Sequence, residues 1–397
     1  MARWLEGKTS SRVISFVIIP ALLILAFLLP PISIIERITD AGATRVTGAG
    51  GALTDPDGAQ IIFMPDAIAQ PFRATLTSVP RVTFLEGSAG ADLLAAAKAI
   101  PSQMIARSPF YQLKLRGETP SGSTWVMPIP NDSEPYETLD VYTWDTAAQN
   151  WQWLPHSIIR EDDQIESRVN AVPESALIVQ TNPMPAVVSA DLPLASALPG
   201  EGQGALGQVQ PTGLYLGNGG SLDGALDATF DQLSSAYAVV PVIRNYDGPI
   251  VRTDLFANML VDTHQRDAHI TALVNLAVGN LYAGVDIDYH GLDPNLRGEF
   301  NQFVGMLAQK LHEQGKTLSV RVETPTQVAE DRWDTGAYDW QTISMLADTV
   351  KIPAPADPNA YAPGGRFDAL LSYAVGQVNR YKLQIIFSGR SVEQAGA

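Results

Sequence analysis

The sequence predicts three parts in series: an N-terminal transmembrane helix, an all-β sandwich domain, and an α/β domain of parallel strands forming a sheet or barrel. Three observations carry this reading. Residues 13 to 35, "VISFVIIPALLILAFLLPPISII", contain no charge. Between 44 and 181, short runs of β-forming residues alternate with turn formers. From 213 onward, short apolar runs are separated by segments with helical periodicity, as βα units require.

Taking these parts in order, residues 1 to 12 read as a cytoplasmic tail and 13 to 35 as a transmembrane anchor. At about 1.5 Å of rise per residue, the anchor is long enough to cross a hydrocarbon core of roughly 30 Å. Arg3, Lys8 and Arg12 precede the apolar run and Arg37 follows it. The positive-inside bias then places the N-terminus in the cytoplasm and the bulk of the chain outside the cell membrane. The competing reading is a cleaved signal peptide ending near Ala41-Gly42-Ala43. The apolar run exceeds the usual length of such a peptide's core, which favours the anchor.

The β-sandwich domain is expected over 44–181, with strands in "AQIIFM", "ATLTSV", "YQLKLRG", "TWVMPIP", "LDVYTW" and "SALIVQT". "GADLLAAAKAI" reads as a helix among them. Trp144, Trp151 and Trp153 have two readings, a sugar-binding platform or core packing, and packing is the commoner fate of aromatics in a small sandwich. Residues 182–212, rich in Pro, Gly and Ala, read as a linker. That segment contains Gly202-x-Gly204-x-x-Gly207 without the strand and helix that a dinucleotide fingerprint needs, so it counts as linker composition.

In the α/β part, "GLYLG", "AVVPVIRNY", "AGVDIDY", "TLSVRVE", "TVKIPA" and "LQIIFS" are the expected strands. Asp293 and Pro294 suit a helix start and Gly315 its end. Phe300, Phe303, Val304, Leu307 and Leu311 recur at helical spacing as the face that covers the sheet.

Composition excludes several function classes. With 42 acidic against 26 basic residues, the net charge is −16, which disfavours nucleic acid as a partner. There is no cysteine, and the five histidines lack ligand spacing, so neither a disulfide framework nor a transition-metal site is expected, and no cofactor is implied.

The chemistry concentrates in "YAGVDIDYHG", residues 282–291. A strand that alternates apolar and acidic residues delivers its acids to one face, and in a barrel strand ends converge on one mouth. This strand, with its following helix and "KTLSVRVETP", resembles glycoside hydrolase family 18, the chitinase-type barrels. The likeness is greatest to the bacterial branch acting on N-acetylglucosamine linkages in cell wall and spore cortex, and it extends over residues 213 to 387. It implies a (β/α)8-type barrel over 213–397.

The family pattern D-G-x-D-x-D-x-E falls here on Ala283, Gly284, Val285, Asp286, Ile287, Asp288, Tyr289 and His290. Asp288 then corresponds to the aspartate that polarises the substrate's acetamido group, and His290 stands in place of the glutamic acid that protonates the leaving oxygen. A Met-x-Tyr-Asp sequence usual at the sixth strand is replaced by "KIPAPADP". Six strands are read where a closed barrel needs eight, so the barrel is truncated, open, or closed by another chain. A weaker pattern resemblance links 44–181 to the sandwich modules of ankyrin and netrin-receptor type.

The resulting expectation is a membrane-anchored, extracytoplasmic protein with a catalytically degenerate chitinase-like domain. It would bind an N-acetylglucosamine-containing glycan or peptidoglycan, or serve as a structural or accessory subunit beside other subunits of a membrane complex. Asp286, Asp288, Tyr289, His290 and Glu323 are its expected ligand-binding residues. The alternative is an active cell-wall N-acetylglucosaminidase using His290, Asp286 or Glu323 as an unconventional acid.

Overall fold

The computed structural model describes residues 42–196, 205–226, 237–329 and 332–388. All six β-runs expected between 44 and 181 are strands: Gln60–Phe63, Phe72–Val79, Phe110–Arg116, Ser123–Pro128, Leu139–Asp145 and Ser175–Thr181. With their neighbours they form two antiparallel sheets, one of seven strands and one of five. Alternate side chains on facing strands, among them Phe63, Phe72, Leu113, Trp125, Met127 and Ile178, close a common core between the sheets.

The outer face of the seven-stranded sheet is divided. Two helices, Arg81–Glu86 and Ala91–Lys98, cover its apolar half, with Phe84 stacked on Phe110 at 4.6 Å. Trp144 and Trp153 lie in this second core at 5% and 7% exposure. These tryptophans are packing residues, and no sugar platform is formed by them.

The six strands expected after 213 are also present, in a parallel sheet ordered Ser189–Leu192, Gln208–Leu216, Val242–Arg244, Gly284–Asp288, Thr317–Arg321, Thr349–Pro353, Leu383–Ile386. The first of these corrects the reading of 182–212 as a linker throughout. Ser189–Leu192 pairs in parallel with Gln208–Pro211, and Leu192 packs with Val209 and Tyr237. Four residues are too short for their alternation to register as a strand against a Pro- and Ala-rich background. Among the described residues the sheet does not close: Ser189–Leu192 and Leu383–Ile386 are its two edges.

Helices Thr253–Val261, Thr263–Gly279, Arg297–His312, Trp340–Leu346 and Arg366–Gln377 accompany this sheet. The expected apolar face of the third, Phe300 to Leu311, is wholly buried in the main core. Asp293 accepts from the Asn295 amide at 2.9 Å, and Gly315 takes φ +65° to end the helix, both as expected. Phe256, Met259 and Leu260 of the first helix are buried as well, so "RTDLFANMLVDTHQRDAHI" is core-covering structure.

The sandwich docks on the last helix. Asp140, which is fully buried, accepts from Arg380 Nε at 2.5 Å, and the His156 amide donates to the Gly376 carbonyl at 3.0 Å. A side chain at Gly376 would meet the His156 carbonyl oxygen at 2.3 Å, so glycine is what permits the approach.

The expected cellular placement does not stand. Among the described residues no helix is long and apolar enough to cross a membrane, so a single-pass membrane protein with a cytoplasmic N-terminus is not supported. The tail 1–12 and the anchor expected over 13–35 lie outside the described residues. That placement rests on the hydropathy of 13–35 and the basic residues beside it.

Candidate functional site

The strand Gly284–Asp288 sits at the centre of the parallel sheet, between Val242–Arg244 and Thr317–Arg321. Glycine is required at its start, since a Cβ on Gly284 would lie 2.0 Å from the Thr317 carbonyl oxygen. From there the side chains alternate. Val285, Ile287 and Tyr289 enter the core beneath the helices, while Asp286 and Asp288 turn to the other face.

Asp286 is fully buried and fully satisfied. Its Oδ2 accepts from Arg321 Nε at 2.8 Å, Lys351 Nζ at 2.9 Å and Gln210 Nε2 at 3.0 Å; its Oδ1 accepts from Ser319 Oγ at 2.7 Å. Burial pushes this carboxyl up, but the Arg321 and Lys351 charges and the Lys351 and Ser319 hydrogen bonds outweigh it and hold the group below the usual range. Burial in turn pushes the Lys351 ammonium down, against the pull of Asp286. Arg321 also forks onto Asp191, at 2.8 Å and 2.6 Å, so the edge strand Ser189–Leu192 is tied to the middle of the sheet.

Asp288 lies nearer the strand ends. Its Oδ2 accepts from Tyr246 Oη at 2.6 Å and Arg244 Nε at 3.2 Å, and its Oδ1 from His290 Nε2 at 3.0 Å. Burial acts to raise this carboxyl too, and the His290 hydrogen bond, the Arg321 charge and the Tyr246 hydrogen bond together hold it low. An ionised carboxylate only accepts, so His290 carries its proton on Nε2.

His290 is the most exposed member, its side chain 43% accessible. Its ring lies 4.5 Å from that of Tyr246, over which Arg244 also sits. Asn245 clamps its backbone, donating to the carbonyl and accepting from the amide, both at 2.8 Å. The Asp288 hydrogen bond raises the imidazole above its ordinary value; burial opposes this, while the Asp288 and Glu323 charges add to it. Gly291 then turns the chain at φ +71°, and its amide donates to Glu323 Oε1 at 2.7 Å.

The structure therefore brings Asp286, Asp288, His290 and Glu323 to one end of adjoining strands and sends Tyr289 elsewhere. The Tyr289 ring is buried on the core side, where its hydroxyl donates to His269 Nε2 at 2.5 Å. His269 Nδ1 donates to the Gly220 carbonyl at 3.0 Å, and burial pushes this imidazole down to about 4. Asp191, Gln210, Arg244, Tyr246, Ser319, Arg321 and Lys351 complete the site without having been singled out from sequence. A signal existed for three of them: Lys351 lies within a strand between Val350 and Ile352, and Arg244 and Arg321 end theirs beside apolar residues, and cations are seldom buried without an acid.

Chemically, the inner half is a closed ionic network and the outer half a donor-rich rim. Every oxygen of the two aspartates already accepts at least one hydrogen bond from the protein. His290 donates its Nε2 proton to Asp288.

No family model matches the chain. Among curated proteins, the uncharacterized glycosylase YvbX of Bacillus subtilis is 27% identical over 115 residues, covering 28% of this chain and 33% of that protein. The match thus spans about a third of the relative's length. Among solved structures, the Bacillus cereus spore cortex-lytic enzyme SleL is 16% identical with a TM-score of 0.45, covering 79% of this chain and 74% of that one. A chitinase from Chromobacterium violaceum is 20% identical with a TM-score of 0.42, over 51% and 68%. At these values the chain is similar to them in fold alone.

Proposed function

We propose that the parallel-sheet domain is a glycan-recognition module that does not hydrolyse its ligand. The observation that carries this reading is the Asp288–His290 pair: at the position where the sequence resemblance implies a carboxylic acid, an imidazole is hydrogen-bonded to the aspartate that would hold the acetamido group. General-acid catalysis needs a proton available at the leaving oxygen. Here the Nε2–H is donated to Asp288, and the raised imidazole holds its protons harder than a free histidine does, which makes it a poorer acid towards a leaving oxygen.

The absent Tyr-Asp pair supports the same conclusion. The aligned stretch supplies Ile352, Pro353, Ala354 and Pro355, and the neighbouring Lys351 is spent on Asp286. What the rim offers a ligand is His290, Arg244 and the Tyr246 ring, a set of donors beside an aromatic face. That chemistry suits a sugar with carbonyl or carboxylate acceptors, as N-acetylated cell-wall saccharides have. The partial likeness to a curated glycosylase supports the ligand class.

The test is calorimetry and product analysis on one preparation with N-acetylglucosamine oligomers and peptidoglycan fragments. Heat of binding with intact oligomer is the expected result. Cleavage that disappears in His290→Ala would instead establish the histidine as an acid and refute the reading.

A further inference from the structure

The two ring nitrogens of His290 have different fates. Nε2 lies 3.0 Å from Asp288 Oδ1, and Asn245 clamps the residue's amide and carbonyl, so the ring is held in place. Among the described residues Nδ1 makes no hydrogen bond, on a side chain that is 43% exposed. An ionised carboxylate only accepts, so Asp288 keeps a proton on Nε2 and the ring gains or loses its second proton at Nδ1. Nδ1 is therefore a donor in the imidazolium and an acceptor in the neutral ring.

The groups around the ring set what Nδ1 can read. Its acidic neighbours are Asp288 and Glu323, whose Oε1 takes the Gly291 amide at 2.7 Å. Its cationic neighbour is Arg244, which lies over the Tyr246 ring, and Arg321 stands behind Asp288 at 3.9 Å. The Tyr246 ring, 4.5 Å from the imidazole, forms one wall. An anionic acceptor brought to Nδ1 also meets the Glu323 charge, whereas a neutral carbonyl does not. Val251, 39% exposed, lies against the next turn: a side chain at Gly291 would sit 3.5 Å from its Cγ1. A donor with an apolar contact beside it matches a neutral carbonyl with a methyl attached.

We infer that His290 Nδ1 is the atom that reads the ligand and that its protonation gates recognition: the imidazolium donates to a neutral acetamido carbonyl, and the neutral ring turns a lone pair on it. This gate rests on the glycan recognition proposed above and gives it a sign. Binding is complete below the folded value of the imidazole, which Asp288 raises, and is lost as pH rises through it.

The experiment measures the affinity of the full chain for N-acetylglucosamine oligomers by calorimetry from about pH 5 to about pH 9, with the His290 ring nitrogens followed by NMR on the same sample. Affinity is expected to fall about tenfold as Nδ1 loses its proton, since a charge-assisted hydrogen bond is lost. Glucose oligomers of the same length, whose hydroxyls donate as well as accept, should show no such fall. His290→Gln presents an amide that does not titrate, so its affinity should be flat with pH. His312→Gln removes an exposed imidazole that is paired with Asp348 and should leave the fall in place. Equal affinity across the range, a fall that persists in His290→Gln with native circular dichroism, or the same fall with glucose oligomers would overturn the gate and leave recognition standing. No binding at any pH would overturn both.

Discussion

Replacing Asp286 by Asn tests whether the inner network holds the parallel sheet together. Asp286 is fully buried and Lys351 and Arg321 are 2% and 7% exposed, so removing its charge leaves the Lys351 ammonium facing an amide while Arg321 keeps Asp191. At an effective dielectric near 20, each contact of about 3 Å represents roughly 5 kcal/mol of attraction, much of it offset by desolvation. Breaking such a pair from one side typically costs about 3–5 kcal/mol, and we expect Asp286→Asn to fall in that range. Lys351→Met should cost less, about 1–2 kcal/mol, because Asp286 keeps Arg321, Gln210 and Ser319 as partners. The double variant should be less destabilised than the sum, since the orphaned ammonium is gone. Urea unfolding of the full chain, with hydrogen exchange at Gly284–Asp288 to identify the transition of this sheet, measures all three. A loss below about 1 kcal/mol for Asp286→Asn, or a larger loss for Lys351→Met, would show that the network contributes little. The folded-state carboxyl is depressed, so its contribution is present above the unfolded value near 4 and disappears only as pH falls through the folded value.

Other expectations follow from the same geometry. The His290 imidazole should titrate above its ordinary value by NMR, and Asp288→Asn should bring it back; its contribution to stability is complete below the unfolded value near 6.5 and is lost as pH rises through the folded one. His269 behaves in the opposite sense: buried neutral with its value near 4, it should make stability decline as pH falls from about 6.5 towards 4, by about 3 kcal/mol, a slope that His269→Phe removes. Arg380→Ala leaves Asp140 buried without its guanidinium and should cost about 2 kcal/mol, seen in calorimetry as separate transitions of sandwich and parallel sheet where the unaltered chain shows one.

The strands and helices were legible because their signals are local. Period-two alternation in "AGVDIDY" placed Asp286 and Asp288 on one face, and the Phe300-to-Leu311 spacing named a buried helix face residue by residue. The partners of those aspartates were not legible, because they come from elsewhere in the chain: Lys351 reaches Asp286 across 65 positions, and Asp191 meets Arg321 across 130. Asp191 was further hidden inside a segment whose composition reads as linker. Tyr289 illustrates the converse error. Its place within the family pattern suggested the ligand face, whereas strand parity alone puts it with Val285 and Ile287 in the core. The expected anchor over 13–35 lies outside the described residues, and among those described no helix is long and apolar enough to cross a membrane.

The central claim is recognition without cleavage, and one sample can decide it. N-acetylglucosamine oligomers added to the full chain would be followed by NMR, reading the His290 ring resonances and the sugar's reducing-end signals together over time. The account predicts that the His290 resonances shift as ligand is added while the reducing-end signals stay constant. New reducing ends accumulating with time would contradict it and make the strand-end cluster a working active site.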